Sequence, residues 1–218
     1  MSSLKACIFD LDGVIVDTAK YHYLAWKDLA NSLNINFTLE DNEKLKGVSR
    51  MDSLDIILSL GNVSLTNDEK IKLAFEKNKI YCKFLDKMSE DEMLAGAKEL
   101  LIDLRKNNIL IALGSASKNA LTILNKLNIT NLFDTIIDGN KVSKAKPNPE
   151  VFILGANNLN VQYTDCIVFE DSIAGIKAAK SINMKTIGIG TKENLPLADK
   201  IYTDLSTLNY LNLKALFE

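Results

Sequence analysis

The sequence predicts a doubly wound α/β core on a parallel sheet, interrupted near its start by a small helical domain. Two observations carry this. Short apolar runs of the kind buried on both faces of a parallel sheet recur along the chain, separated mostly by helical patterns. Between about Asp17 and Met88 the alternation stops and only helical patterns remain. Strands alternating with helices give a sheet open to ligands at the carboxyl ends of its strands. The expected division is residues 1–16 with 89–218 as the core domain, and residues 17–88 as a helical cap that sets substrate specificity.

The first strand is expected at Ala6-Cys7-Ile8-Phe9, followed by runs at Ile109–Leu113, Thr135–Ile137, Cys166–Phe169, Thr186–Ile189 and, more weakly, Lys200–Tyr202. In the insert, Ala25, Trp26, Leu29 and Leu33 share one helical face, and Leu54, Ile57 and Leu58 another. Thr66 and Glu69 form a capping box ahead of Ile71, Ala74, Phe75 and Cys82. Leu100, Leu101 and Leu104 make a stripe in the core domain, as do Leu121, Leu124 and Leu127. Asn148-Pro149-Glu150 reads as a helix start, with Asn148 as N-cap and Pro149 at the first helical position.

Composition narrows the function. A formal charge of −2 over 218 residues supplies no basic excess to track nucleic-acid phosphates. No apolar run reaches the roughly 18–20 residues of a membrane span, and the N-terminus lacks the features of a signal peptide. Cys7, Cys82 and Cys166 form neither an even set nor a metal-ligand spacing, which fits a reducing cytoplasm. No exposed apolar stripe demands a partner, so a monomer is expected.

Four motifs carry chemistry. Asp10 and Asp12 leave the first strand two residues apart, on the same side. Two carboxylates so placed repel unless a cation joins them, and hard oxygen donors suit Mg²⁺. One carboxylate can then attack phosphorus while the other exchanges a proton with the reacting hydroxyl. Gly13 permits the sharp turn that follows. Gly114-Ser115-Ala116-Ser117-Lys118-Asn119 is a small-residue loop that offers N–H groups and hydroxyls to an anion, with Ser115 nearest the strand. Lys146, ahead of Pro147, sits in extended backbone and can neutralise a phosphoryl group and Asp10. Glu170 and Asp171 end a further strand and can complete a metal site begun by Asp10 and the Asp12 carbonyl. Each motif alone also reads as ordinary turn or capping chemistry. Together they would converge on one edge of one sheet, which unrelated caps do not require.

In that order, Asp10-x-Asp12, Ser115, Lys146 and Glu170-Asp171 resemble the haloacid dehalogenase superfamily, whose core is Rossmann-like and whose cap matches the helical insert. The stretches Asp17-Thr18-Ala19, Tyr21-His22, Ala25-Trp26-Lys27, Gly47-Val48-Ser49-Arg50 and Ser115–Asn119 are similar to its sugar-phosphate mutases. That resemblance implies Asp10 as phosphorylated nucleophile and Asp12 as general acid/base. It implies Ser115 and Lys146 on the transferring group, and Mg²⁺ held by Asp10, Asp12 and Asp171 with Glu170 beside it. Arg50, Ser117, Lys118 and Asn119 would grip the second phosphate, and Gly47 and Val48 would line the sugar site. His22 and Lys77 would form a hinge pair that couples cap closure to Asp12, and Trp26 would border the sugar. The implied substrate is a phosphorylated hexose: β-glucose 1-phosphate and glucose 6-phosphate interconvert through β-glucose 1,6-bisphosphate. A sugar-phosphate phosphatase is the alternative. Gly114 departs from the pattern, which has alanine there.

Two readings rest on local grounds. Lys77 by position is a solvated helix-face lysine, and Trp26 a buried one-face tryptophan.

Overall fold

A computed structural model describes residues 3–45 and 48–217. In chain order the elements are β1 (Ala6–Phe9), α1 (Ala19–Ser32), α2 (Leu39–Glu43), α3 (Arg50–Leu60), α4 (Asn67–Leu85), α5 (Ala97–Lys106), β2 (Leu110–Gly114), α6 (Ala120–Lys126), β3 (Thr135–Ile137), α7 (Glu150–Asn158), β4 (Cys166–Glu170), α8 (Ile173–Lys180), β5 (Lys185–Ile189), β6 (Lys200–Tyr202) and α9 (Tyr210–Lys214). The chain divides into two compact units, Met1–Asp17 with Ser89–Glu218, and Thr18–Met88.

The larger unit holds one six-stranded sheet in the order β3-β2-β1-β4-β5-β6, with every pairing parallel. The order reverses at β1, so the crevice for a ligand opens where β1 meets its neighbours. Both faces of the central strands are buried, which is why their sequences are apolar without alternation. Ala6, Ile8, Ala112, Cys166 and Val168 pack with Val151, Phe152 and Ala156 of α7 and Ala178 and Ala179 of α8. Cys7, Phe9, Ile111, Leu113, Ile167 and Phe169 alternate to the other face and are equally buried. Cys7 and Cys166 therefore lie on opposite faces, and all three cysteines are free thiols.

The smaller unit is helical, with a core of Trp26, Leu29, Ala30, Ile35, Phe37, Leu45, Leu54, Ile57, Leu58 and Ala74. The Thr66–Glu69 capping box forms, and Thr38 with Asp41 makes a second at α2.

Three expectations need correction. On α4 the inward residues are Ala74, Lys77, Tyr81 and Leu85, whereas Ile71 and Phe75 are exposed. A lysine on the buried stripe misled the pattern, because Lys77 counts as polar in any periodicity. On α6 the stripe runs through Ala120, Ile123 and Leu124, leaving Leu121 exposed. α7 begins at Glu150 with Pro149 as its cap residue. Asn148 still serves that end, since its Oδ1 accepts from the Glu150 amide at 3.1 Å.

Six helices end on the same device. Asn34, Asn62, Asn108, Asn128, Asn160 and Asn183 all have positive φ. The amide of each following residue (Ile35, Val63, Ile109, Ile129, Val161, Met184) reaches back five residues to a carbonyl of the last turn. This closure satisfies orphan carbonyls and turns an apolar side chain inward, and asparagine is the L-residue that tolerates the left-handed step.

Candidate active site

Register brings the acids together. Phe9 is paired with Leu113 on one side and Phe169 on the other, so Asp10, Gly114 and Glu170 emerge level at the sheet's carboxyl edge. The Phe9 and Phe169 rings stack at 4.3 Å, and the Asp10 amide donates to the Phe169 carbonyl at 2.9 Å. β1 and β4 are thereby clamped immediately below the two carboxylates.

Lys146 reaches in from the loop after β3. Its Nζ lies 2.8 Å from Asp10 Oδ1 and also pairs with Glu170 Oε1. Asp10 is 8% exposed and Glu170 fully buried, so these pairs act at low dielectric. The second oxygen of Glu170 accepts from the Ser172 amide at 3.0 Å and from its hydroxyl at 2.8 Å. Both oxygens of Glu170 are thus engaged, and it fixes the ammonium against Asp10. Ser172 also caps α8 by accepting from the Gly175 amide at 3.1 Å.

Asp171 is the third acid. Asp10, Glu170 and Asp171 each bring an oxygen within 4.8 Å of the others. Glycines leave room for them. A Cβ on Gly13, at φ +76°, would lie 2.0 Å from Asp171 Oδ2, and one on Gly175 would lie 1.9 Å from the Glu170 carboxylate. Burial pushes the Asp10 carboxyl up; Lys146 pulls it down, and Glu170 and Asp171 push it up again, with a net rise. Protein around the Asp171 carboxyl, with Glu170 and Asp12 nearby, pushes it up to about 7 although part of the residue is exposed. Burial alone would lower the Lys146 pKa, but the Asp10 and Glu170 carboxylates outweigh it and raise it. Three carboxylates against one ammonium leave two negative charges to be met. An all-oxygen set with that deficit fits a hard divalent cation. Asp12 lies close enough to Asp171 to press on its titration, but its carboxylate is not in the cluster of three.

The Ser115 loop adjoins this cluster on β2. Ser115 is 1% exposed, its amide donates to the Ile137 carbonyl, and its Oγ accepts from the Ser117 amide at 3.0 Å. Ser117 Oγ in turn accepts from the Asn119 amide at 3.3 Å. Asp138-Gly139-Asn140 after β3, which is not among the four motifs singled out from the sequence, braces this loop. Asp138 anchors Asn140 through its amide and side chain, Asn140 Nδ2 donates to the Lys118 carbonyl at 3.0 Å, and the Gly139 amide donates to the Ser117 carbonyl at 3.1 Å. A Cβ on Gly139 would fall 2.1 Å from the Ala116 carbonyl oxygen. An Asp-Gly-Asn triplet ending a strand was the available signal. Gly114 has a packing reason: an added Cβ would meet Phe152 at 3.1 Å and Ile8 at 3.2 Å.

The smaller unit gathers the other residues singled out. Lys77 is 2% exposed, which corrects its reading as a solvated lysine. Its Nζ lies 2.8 Å from His22 Nδ1 and over the rings of Trp26 and Tyr81, at 4.4 and 4.9 Å. An ammonium only donates, so Nδ1 accepts and Nε2 carries the imidazole hydrogen. His22 stacks on Tyr81 at 4.2 Å. Burial, then the charges of Lys77 and Arg50, lower the His22 pKa well below its usual value. Trp26 is a core residue, 3% exposed. Arg50 opens α3, capped by Ser49, and its Nη2 donates to Asn78 Oδ1 at 2.9 Å. Val48 is half-buried ahead of that helix, and Gly47 lies outside the described residues.

The family model described as haloacid dehalogenase-like hydrolase matches residues 4–183. The beta-phosphoglucomutase of Bacillus subtilis is 42% identical over 207 residues, covering 94% of this chain and 92% of its own. The phosphorylated carbohydrates phosphatase of Thermotoga maritima is 30% identical over 188 residues, 84% of each chain. Among solved structures, a beta-phosphoglucomutase from Clostridium difficile superposes with a TM-score of 0.92 at 45% identity, covering 97% of this chain and 96% of that one.

Proposed function

This chain belongs to the haloacid dehalogenase-like hydrolase family, and from that premise we propose that it is a phosphoglucomutase. It interconverts β-glucose 1-phosphate and glucose 6-phosphate through β-glucose 1,6-bisphosphate. The cluster of Asp10, Lys146, Glu170 and Asp171 carries the phosphoryl-transfer reading. Near full-length likeness to two beta-phosphoglucomutases supports a sugar rather than water as acceptor.

An Asp10 oxygen forms a bond to phosphorus as the bond from phosphorus to the sugar oxygen breaks, and Asp12 gives that oxygen its proton. In reverse, Asp12 takes the proton of the other sugar hydroxyl as it attacks the aspartyl phosphate. Lys146 and Ser115 hold the equatorial phosphoryl oxygens, and Lys146 is kept in place by Glu170. Asp10, the Asp12 carbonyl and Asp171 would hold Mg²⁺, which supplies charge for the transferring group and lets both acids ionise. Arg50 suits the non-reacting phosphate through its planar fork, with Ser117, Lys118 and Asn119 in the same role. His22 and Lys77 serve the helical unit as its hinge pair.

Product identity tests the reading. β-Glucose 1-phosphate, Mg²⁺ and a trace of the bisphosphate should yield glucose 6-phosphate. Release of inorganic phosphate in equal amount, without glucose 6-phosphate, would make the chain a phosphatase.

Metal binding should also be visible in stability. The folded Asp171 carboxyl titrates at about 7, against roughly 3.9 unfolded. The folded state therefore binds more protons between those values, and stability falls as pH rises through 7. Mg²⁺ needs the ionised form, so its stabilisation should be larger at pH 8 than at pH 6. At a hundredfold excess over Kd the gain at pH 8 is about 5–10 °C in Tm. Thermal melts with and without chelator check this; an increment independent of pH would count against Asp171 as a ligand.

A further inference from the structure

Arg50 is oriented by a neutral partner. Its Nη2 donates at 2.9 Å to Oδ1 of Asn78 on α4. The amide orientation is determined on chemical grounds. A guanidinium has only donors, so the carbonyl oxygen must face it. Asn78 Nδ2 turns instead toward Cys82 Sγ, one helical turn on, at 3.8 Å. The guanidinium is part-buried at this contact, so the charge of whatever accepts from it is poorly screened.

We propose that Asn78 is a positioning residue for the phosphorylated substrate: it aims the Arg50 fork, and because it is uncharged it leaves the guanidinium charge for the phosphate. The inference rests on the distal-phosphate role given to Arg50 under the proposed function. A carboxylate here would hold the arginine at least as firmly, but it would pair with that charge and repel an incoming dianion. An asparagine retains the aim without the competition.

The two roles of such a residue separate in Asn78→Asp, which is isosteric. If Asn78 serves only to hold α3 against α4, Asn78→Asp should bind substrate at least as well as Asn78→Ala, because it retains the contact. If its neutrality matters, Asn78→Asp is the worse of the two. We expect KM for β-glucose 1-phosphate to rise about 3–10-fold in Asn78→Ala and more than tenfold in Asn78→Asp. kcat should change less in both, since the phosphate grip is shared by ground and transition states. Asn78→Ser, a smaller neutral acceptor, should fall between native and Asn78→Ala, and thermal melts should show Asn78→Asp folded with Tm at or above native.

Arg50→Ala is the control. If it leaves KM unchanged, the distal-phosphate role of Arg50 fails, and this inference with it. If Arg50→Ala raises KM but Asn78→Asp binds as well as Asn78→Ala, only the inference about Asn78 is overturned. In the Arg50→Ala background, Asn78→Asp should add little, because its effect is exerted through the arginine; independent, additive losses would also overturn it.

Discussion

Asp10→Asn should abolish turnover while leaving the fold intact. The amide matches the carboxylate in shape, but its oxygen is a poor nucleophile and carries no charge for a metal. Loss of a covalent nucleophile costs on the order of 10⁴-fold or more in kcat. Stability should move the other way. Asp10 sits among Glu170 and Asp171 with one ammonium between them, and its own pKa is pushed up by burial and by those acids. Removing one negative charge relieves that crowding, and Lys146 keeps Glu170 as a counterion. The variant should therefore melt at or above the native temperature at pH 8 in chelator. Initial rates and incorporation of labelled phosphate report the chemistry, and the melt reports the fold. Turnover within a hundredfold of native, in a well-folded variant, would mean that another group attacks phosphorus.

Much of this arrangement was legible because parallel sheets write their core locally. Each strand is a short apolar run, and each polar group of interest stands one or two residues beyond it, so Asp10, Ser115, Glu170 and Asp171 could be placed on one edge without coordinates. Lys146 was legible only as a lysine held off a helix; its contact with Asp10 spans 136 residues of sequence. The hidden parts are groups whose role depends on a distant partner. Gly175 looks like a helix residue until Glu170 is seen to fill the space of its missing Cβ. Asn140 looks like a loop residue until its side chain meets the Lys118 carbonyl. Lys77 broke the periodicity of α4 because its ammonium is received by the His22 imidazole and the Trp26 face, both distant in sequence, together with Tyr81 one turn further along α4. The asparagine closures were the opposite case. Each is local, an asparagine followed by an apolar residue at a helix end.

Lys146→Met should damage both chemistry and stability, and pH separates the two. The lysine side chain is 10% exposed and is shared by Asp10 and Glu170, themselves 12% and 1% exposed at the side chain. Methionine fills a similar volume but leaves two buried carboxylates facing each other. Breaking a buried pair from one side costs about 3–5 kcal/mol when the remaining charge cannot be relieved. Here it can be relieved by protons. Without the ammonium, nothing offsets the burial that already pushes the Asp10 carboxyl up, so the folded variant holds a proton there that the unfolded chain has lost. Its stability must then increase as pH falls from 8 toward 6, relative to the native protein, and the gap between them should narrow. Activity should not recover along the same path. A protonated Asp10 cannot attack, and the transferring group has lost a positive partner whose removal costs roughly 10²–10³ in kcat. Lys146→Arg is not expected to rescue the rate, because a planar fork cannot replace a point charge between two carboxylates at this spacing. Denaturant unfolding of the native and variant proteins across this pH range is the measurement. If the stability gap stays constant with pH, Lys146 is not what holds the Asp10 pKa down, and its assignment as the counterion shared by Asp10 and Glu170 fails.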